Sequence, residues 1–116
     1  MTDLPETSLL RGRGGSAGHA RGPARIVTGP SEFAQVRVSD VLVCRMTDPA
    51  WTPLFSRVAA VVTETGGMLS HAAIVAREQG IPAVLGVSGA TSLLPGGTMV
   101  DVDGRAGTIR WIPPDV

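Results

Sequence analysis

Three short apolar runs, Val41–Cys44, Ala59–Thr63 and Ala83–Val87, punctuate the middle of this chain. Between the last two lies one strongly helical segment. Runs of this length, rich in β-branched residues, read as strands, and Val41–Cys44 reads as a buried one. The helix is predicted over Ser70–Gln79. Ser70 is its N-cap, Ala72, Ala73 and Ala76 are strong helix formers, and Gly80 is suited to the position just past its end. Ile81 supplies the apolar contact behind that glycine, and Pro82 prevents continuation. A further strand is expected at Ala24–Val27, stopped by Gly29-Pro30, and a helical turn at Ser31–Ala34 with Ser31 as cap. Another turn is expected at Trp51–Phe55, with Pro53 near its beginning. Pro95-Gly96-Gly97 marks a turn before a strand at Thr98–Asp103, and Asp103-Gly104 a tight turn before the last strand, Thr108–Ile112. Strands and helices alternate, yet the C-terminal third is rich in strand. The pattern predicts an α/β fold with a mixed sheet and a few covering helices.

A chain of 116 residues accommodates one domain with a sizeable core. Residues 1–14 are expected to form a flexible N-terminal segment, with disorder over Met1 to about Leu9, because few apolar side chains there offset the cost of ordering the backbone. The domain proper is placed at 15–116. Ten basic and ten acidic side chains cancel, so no field for nucleic acid is implied, and the scarcity of aromatic residues disfavours base stacking. The lone Cys44 has no disulfide partner in the chain, and no Cys/His spacing suggests a metal site. No apolar run is long enough to span a membrane and no signal-peptide pattern is present, so a cytoplasmic location is expected.

The segment with chemical content is Thr63-Glu64-Thr65-Gly66-Gly67-Met68-Leu69-Ser70-His71. It leads from a strand end, through two glycines, to a histidine in the first turn of a helix. Unpaired backbone N–H groups and the positive end of the helix dipole stabilise an anion at such a place. Adjacent glycines permit positive φ and close backbone approach, as an anion-binding concavity requires. An imidazole there is a nucleophile for a phosphoryl group, and the same amides would hold the charged product. Gly66, Gly67 and Ser70 are the candidate phosphate-binding residues. Read from spacing alone, a purely structural histidine is the competing interpretation.

From Thr65 to Glu78 the chain reads TGGMLSHAAIVARE, followed by Gly80-Ile81-Pro82-Ala83-Val84, Gly86-Val87, Gly89-Ala90-Thr91 and Val100-Asp101-Val102-Asp103-Gly104 to Gly107. Upstream stand Asp40-Val41-Leu42-Val43 and Thr47-Asp48-Pro49-Ala50-Trp51-Thr52-Pro53-Leu54. Together, from about Gly15 to Ile112, these resemble the swivelling phosphohistidine domain of the phosphoenolpyruvate-utilising enzymes, the family of pyruvate phosphate dikinase, phosphoenolpyruvate synthase and rifampin phosphotransferase. The resemblance implies a compact β/β/α sandwich whose helix starts at the active histidine. It places the phosphoryl group on Nε2 of His71 and sets the Thr47 hydroxyl beside the ring, orienting it. It also implies partners: an ATP-grasp nucleotide-binding domain, a phosphoenolpyruvate or pyruvate domain, or both. ATP and Mg²⁺ would belong to the partner, with no cofactor or metal on this domain. Dikinases and synthases of the family commonly carry threonine two residues before the histidine, where a regulatory kinase acts; here Leu69 stands there, so that control is expected to be missing.

Other polar residues are given blander roles. His19 reads as a surface histidine, Cys44 as a buried small hydrophobe, Glu64 as an exposed loop carboxylate and Arg77 as a surface or salt-bridging residue. The function expected is that of a phosphotransferase component, incomplete without partner domains. The alternative is a non-catalytic binding or regulatory module that keeps the fold.

Overall fold

The computed structural model describes residues 7–112. Eight strands, β1 (Ser8–Arg11), β2 (Arg13–Ser16), β3 (His19–Ile26), β4 (Val41–Cys44), β5 (Ala60–Thr63), β6 (Ala83–Leu85), β7 (Met99–Asp103) and β8 (Thr108–Trp111), form one mixed sheet. Their order is β1-β8-β7-β3-β4-β5-β6-β2. The run β3-β4-β5-β6 is parallel, and all other pairs are antiparallel. Two α-helices, α1 (His71–Gln79) and α2 (Ala90–Leu93), and two 3-10 helices, Pro30–Gln35 and Pro49–Ser56, complete the described residues.

The strand order explains the layering. Strand β3 pairs with β7 through His19–Pro23 and with β4 through Ala24–Ile26, so one strand belongs to both parts of the sheet. At the two ends of the order stand β1 and β2, yet only Gly12 separates them in sequence. The sheet therefore folds over until its edges meet. Side chains of β4 to β6 alternate between the two faces. Val41, Val43, Ala60, Val62 and Val84 point into a core shared with Val100, Val102, Ile109 and Trp111 of β7 and β8. Leu42, Cys44, Val61, Ala83 and Leu85 point the other way, against α1 and the 3-10 helix Pro49–Ser56 through Ala72, Ala76, Leu54 and Phe55. Strands covered on both faces need no polar alternation, which is why these read as unbroken apolar runs. The α/β mixed sheet and the β/β/α sandwich are as expected.

Several expectations need correction. Residues 1–6 of the segment expected to be flexible lie outside the described residues. Residues 8–14 are not loose: β1 pairs with β8 and β2 with β6, and Leu10 packs on the inner core. The glycines there serve close approach. A Cβ on Gly14 would run into the Gly104 carbonyl oxygen, so backbone meets backbone where the β7–β8 turn crosses β2. Ser31 does not cap its helix: Gly29 is the N-cap residue and makes no side-chain cap. The turn at 51–55 is longer than expected, because Asp48 caps it with its carboxylate on the Ala50 amide (2.9 Å) and Pro49 opens it. The short helix α2 was not foreseen.

Candidate functional site

Adjacent parallel strands β4 and β5 deliver their carboxyl-terminal loops to the same edge of the sheet, where open α/β sheets form crevices. The two loops are tied together by backbone. The Glu64 amide donates to the Cys44 carbonyl at 3.0 Å, and the Thr65 amide and hydroxyl donate to the Arg45 carbonyl at 3.0 and 3.1 Å. The first loop then enters the 3-10 helix Pro49–Ser56; the second ends at Ser70, which caps α1 through its hydroxyl on the Ala73 amide (3.4 Å). The Ile74 amide is the first of the helix to reach back, to the Ser70 carbonyl at 3.0 Å. The amides of His71 and Ala72 therefore have no partner within the helix.

His71 is the first residue of α1 and is half-buried. Its ring is gripped from the other loop on three sides. The Thr47 hydroxyl, on a residue only 5% exposed, lies 2.7 Å from Nδ1. The Thr52 hydroxyl, on an exposed residue, lies 3.0 Å from Nε2. Phe55, fully buried beneath, meets the imidazole edge-on, with ring centroids 5.8 Å apart and planes at 86°. Nδ1 thus faces the interior and Nε2 the open side. Thr47 and His71, singled out from sequence, are brought together; Thr52 and Phe55 were given no role there. Their signal is the period of the 3-10 helix, in which residues three apart share a face.

Gly66 has φ of 102°, in the region open chiefly to glycine, and a Cβ there would approach Ser70 at 3.1 Å. Gly67, expected to behave likewise, does not have positive φ; its carbonyl accepts the Ser70 amide at 3.0 Å. Arg77 forms no ion pair among the described residues. Instead Nε donates to the Gly15 carbonyl (2.8 Å) and Nη2 to the Met68 carbonyl (2.7 Å), fastening the glycine loop and β2 to α1. Glu64 is not a free loop carboxylate either. Its Oε2 accepts the amide (2.8 Å) and hydroxyl of Thr91, and these two bonds hold the carboxyl below its usual range. Burial, and then the Glu64 charge, push the Cys44 thiol up to about 12, so it is inert. Leu69 is 86% exposed beside the histidine. Among the described residues no three His, Cys, Asp or Glu side chains gather as metal ligands, and no helix is long and apolar enough to cross a membrane.

Residues 36–107 match the family model described as PEP-utilising enzyme, mobile domain. An uncharacterised phosphotransferase, YvkC of Bacillus subtilis, is 53% identical over 97 residues, covering 84% of this chain and 12% of that protein. A rifampicin phosphotransferase of a Streptomyces species is 46% identical over 110 residues, covering 95% of this chain and 12% of the relative. A probable phosphoenolpyruvate synthase of Archaeoglobus fulgidus is 46% identical over 101 residues, covering 87% and 13%. The chain thus spans only about an eighth of the length of these curated relatives. Among solved structures, Enzyme I (nEIt) is 35% identical with a TM-score of 0.58, covering 72% of this chain and 34% of that one. Aconitase X of Thermococcus kodakaraensis reaches a TM-score of 0.70 over 91% of this chain and 99% of its own, at 19% identity, a likeness of fold alone.

Proposed function

Because this chain belongs to the family of mobile domains of phosphoenolpyruvate (PEP)-utilising enzymes, we propose that it carries a phosphoryl group on Nε2 of His71. It takes the group from one active site and delivers it to another. The observation that carries this reading is the division of labour around one ring. Thr47 occupies Nδ1 from the buried side, while Nε2 faces outward at the tip of α1, where its partner is the exposed Thr52 hydroxyl.

In the forward step the Nε2 lone pair attacks the phosphorus of the donor, a P–N bond forms, and the P–O bond to the leaving group breaks. The ring gains positive charge as it does so, and the Nδ1–H shared with the Thr47 oxygen stabilises that charge. The amides of His71 and Ala72, with the helix dipole, face the negative charge of the product. Gly66, Gly67 and Ser70 shape the loop in which that charge is held. Placement and electrostatics, rather than further covalent chemistry, supply the rate.

Donor and acceptor sites lie on other domains. The donor is an ATP-grasp nucleotide-binding domain that brings ATP and Mg²⁺, or a domain that binds phosphoenolpyruvate. The relatives, each far longer than this chain, are consistent with such companions. The test is to mix the chain with a cognate nucleotide-binding domain and labelled ATP, or with a phosphoenolpyruvate-binding domain and labelled phosphoenolpyruvate. An acid-labile, base-stable label absent from His71→Ala is the expected result; no label on the unaltered chain with any cognate donor overturns the reading.

A further inference from the structure

Thr52 stands where the phosphorus must go. A hydroxyl hydrogen-bonded to Nε2 at 3.0 Å occupies the direction of that nitrogen's lone pair, and a covalent N–P bond is far shorter than this contact. Nε2 cannot be phosphorylated while Thr52 keeps the position it has here. The residue is exposed, on the open side of the ring, so its side chain has room to rotate.

A neutral imidazole has one N–H and one lone pair, whereas each threonine hydroxyl can donate or accept. With hydroxyls at both nitrogens, two arrangements pair both ring nitrogens. In one, Nδ1–H donates to Thr47 and the Thr52 hydroxyl donates to Nε2. In the other, both bonds are reversed and Nε2 carries the proton. Only the first leaves a lone pair on the atom that attacks.

We propose that Thr52 is a positioning residue that gates Nε2 of His71 and then holds the phosphoryl group bound there. Resting on the carrier reading above, the hydroxyl has two partners in turn. In the unloaded domain that is ready to react the Thr52 hydroxyl donates to Nε2, with the ring proton on Nδ1. When a donor arrives the hydroxyl turns away, and the lone pair it releases forms the P–N bond. It then donates to an oxygen of the bound phosphoryl group. One hydroxyl thereby serves both states, first on the nitrogen and then on the charge that replaces its partner.

The test uses this chain with ¹⁵N-labelled histidine, as the native protein and as Thr52→Ala and Thr52→Ser. Long-range ¹H–¹⁵N spectra report which ring nitrogen carries a phosphoryl group, and His19, exposed at the start of β3, is the internal reference. Phosphoramidate, a small donor whose own P–N bond breaks with release of ammonia, loads the histidine without any partner domain. The native chain and Thr52→Ser load at the same rate and keep the group equally long. In Thr52→Ala phosphoramidate loads His71 about fivefold faster, the weight of one hydrogen bond no longer broken, and loaded His71 loses its phosphoryl group about tenfold faster, the weight of a charge-assisted one. Rescue by serine separates the hydroxyl from the bulk of the side chain. Equal loading rates and equal lifetimes in all three overturn the role of Thr52 and leave the carrier reading standing. The failure of every cognate donor domain to label His71 strikes the carrier reading instead, and the rate of loading by phosphoramidate still decides what Thr52 does at the resting ring.

Discussion

The Thr47 hydroxyl is nearly inaccessible to water and has Nδ1 of His71 as its partner at 2.7 Å. Replacing it with valine keeps the shape and removes the bond, leaving a ring nitrogen facing an apolar wall. Such a loss costs about 1–2 kcal/mol, so Thr47→Val should accept phosphoryl groups about tenfold more slowly, with the fold retained. Labelling rates at fixed donor concentration check this, and an unchanged rate would remove Thr47 from the machinery. Cys44 makes the opposite case. It points into the core beneath α1, and its thiol is pushed up to about 12, chiefly by burial. It should stay unmodified by an aromatic disulfide reagent at pH 8 in the folded chain and react at one equivalent in denaturant; prompt reaction without denaturant would contradict the packing described.

At the scale of elements, the site depends on two tethers that reach it from outside. Arg77 binds the Met68 carbonyl on one side and the Gly15 carbonyl on the other, so a single guanidinium sets the loop 66–70 against α1 and β2. Arg77→Met keeps the apolar stem and loses both bonds. Amide exchange within 66–70 should then quicken about tenfold while the strands keep their protection, and uniform protection would show that the loop orders itself. Glu64 ties the root of the same loop to α2. Bonds from the Thr91 hydroxyl and then its amide lower the folded carboxyl below its unfolded value, outweighing a small effect of burial that acts the other way. A lowered carboxyl adds stability that is complete above the unfolded value of about 4.3 and is lost as pH falls through the folded one. Glu64→Gln should therefore flatten that part of the acid-unfolding curve and leave the neutral side parallel to the native one. These tethers were not legible in the sequence, because Arg77 to Gly15 and Glu64 to Thr91 join segments far apart along the chain. The helix α1 was, since cap, alanines and closing glycine all lie within a dozen residues. The site was legible in half: His71 and Thr47 announce themselves by motif, whereas Thr52 and Phe55 belong to a 3-10 helix whose threefold period is rarely sought.

For the whole molecule the decisive segment is the one that looked least structured. Glycine-rich strands such as Arg13–Ser16 carry almost no side-chain pattern, so their pairing is invisible until the partners, β6 and β8, are in place. Yet residues 8–16 supply both ends of the strand order, one on β8 and one on β6, across the single residue Gly12. The Gly12 amide adds its own bond to the Gly107 carbonyl at 2.8 Å. This short stretch therefore works as a strap, holding the antiparallel layer onto the parallel one and covering two edges that would otherwise offer unpaired backbone to other chains. Removing it would also take Leu10 from the core between the layers. A chain starting at residue 17 should lose its cooperative thermal transition and scatter light in a concentration-dependent way, although every residue around His71 except the Gly15 anchor of Arg77 is still present. Calorimetry with light scattering decides the point. A sharp transition within a few degrees of the full chain would mean that the two layers hold together through their core alone, and that the strap is dispensable.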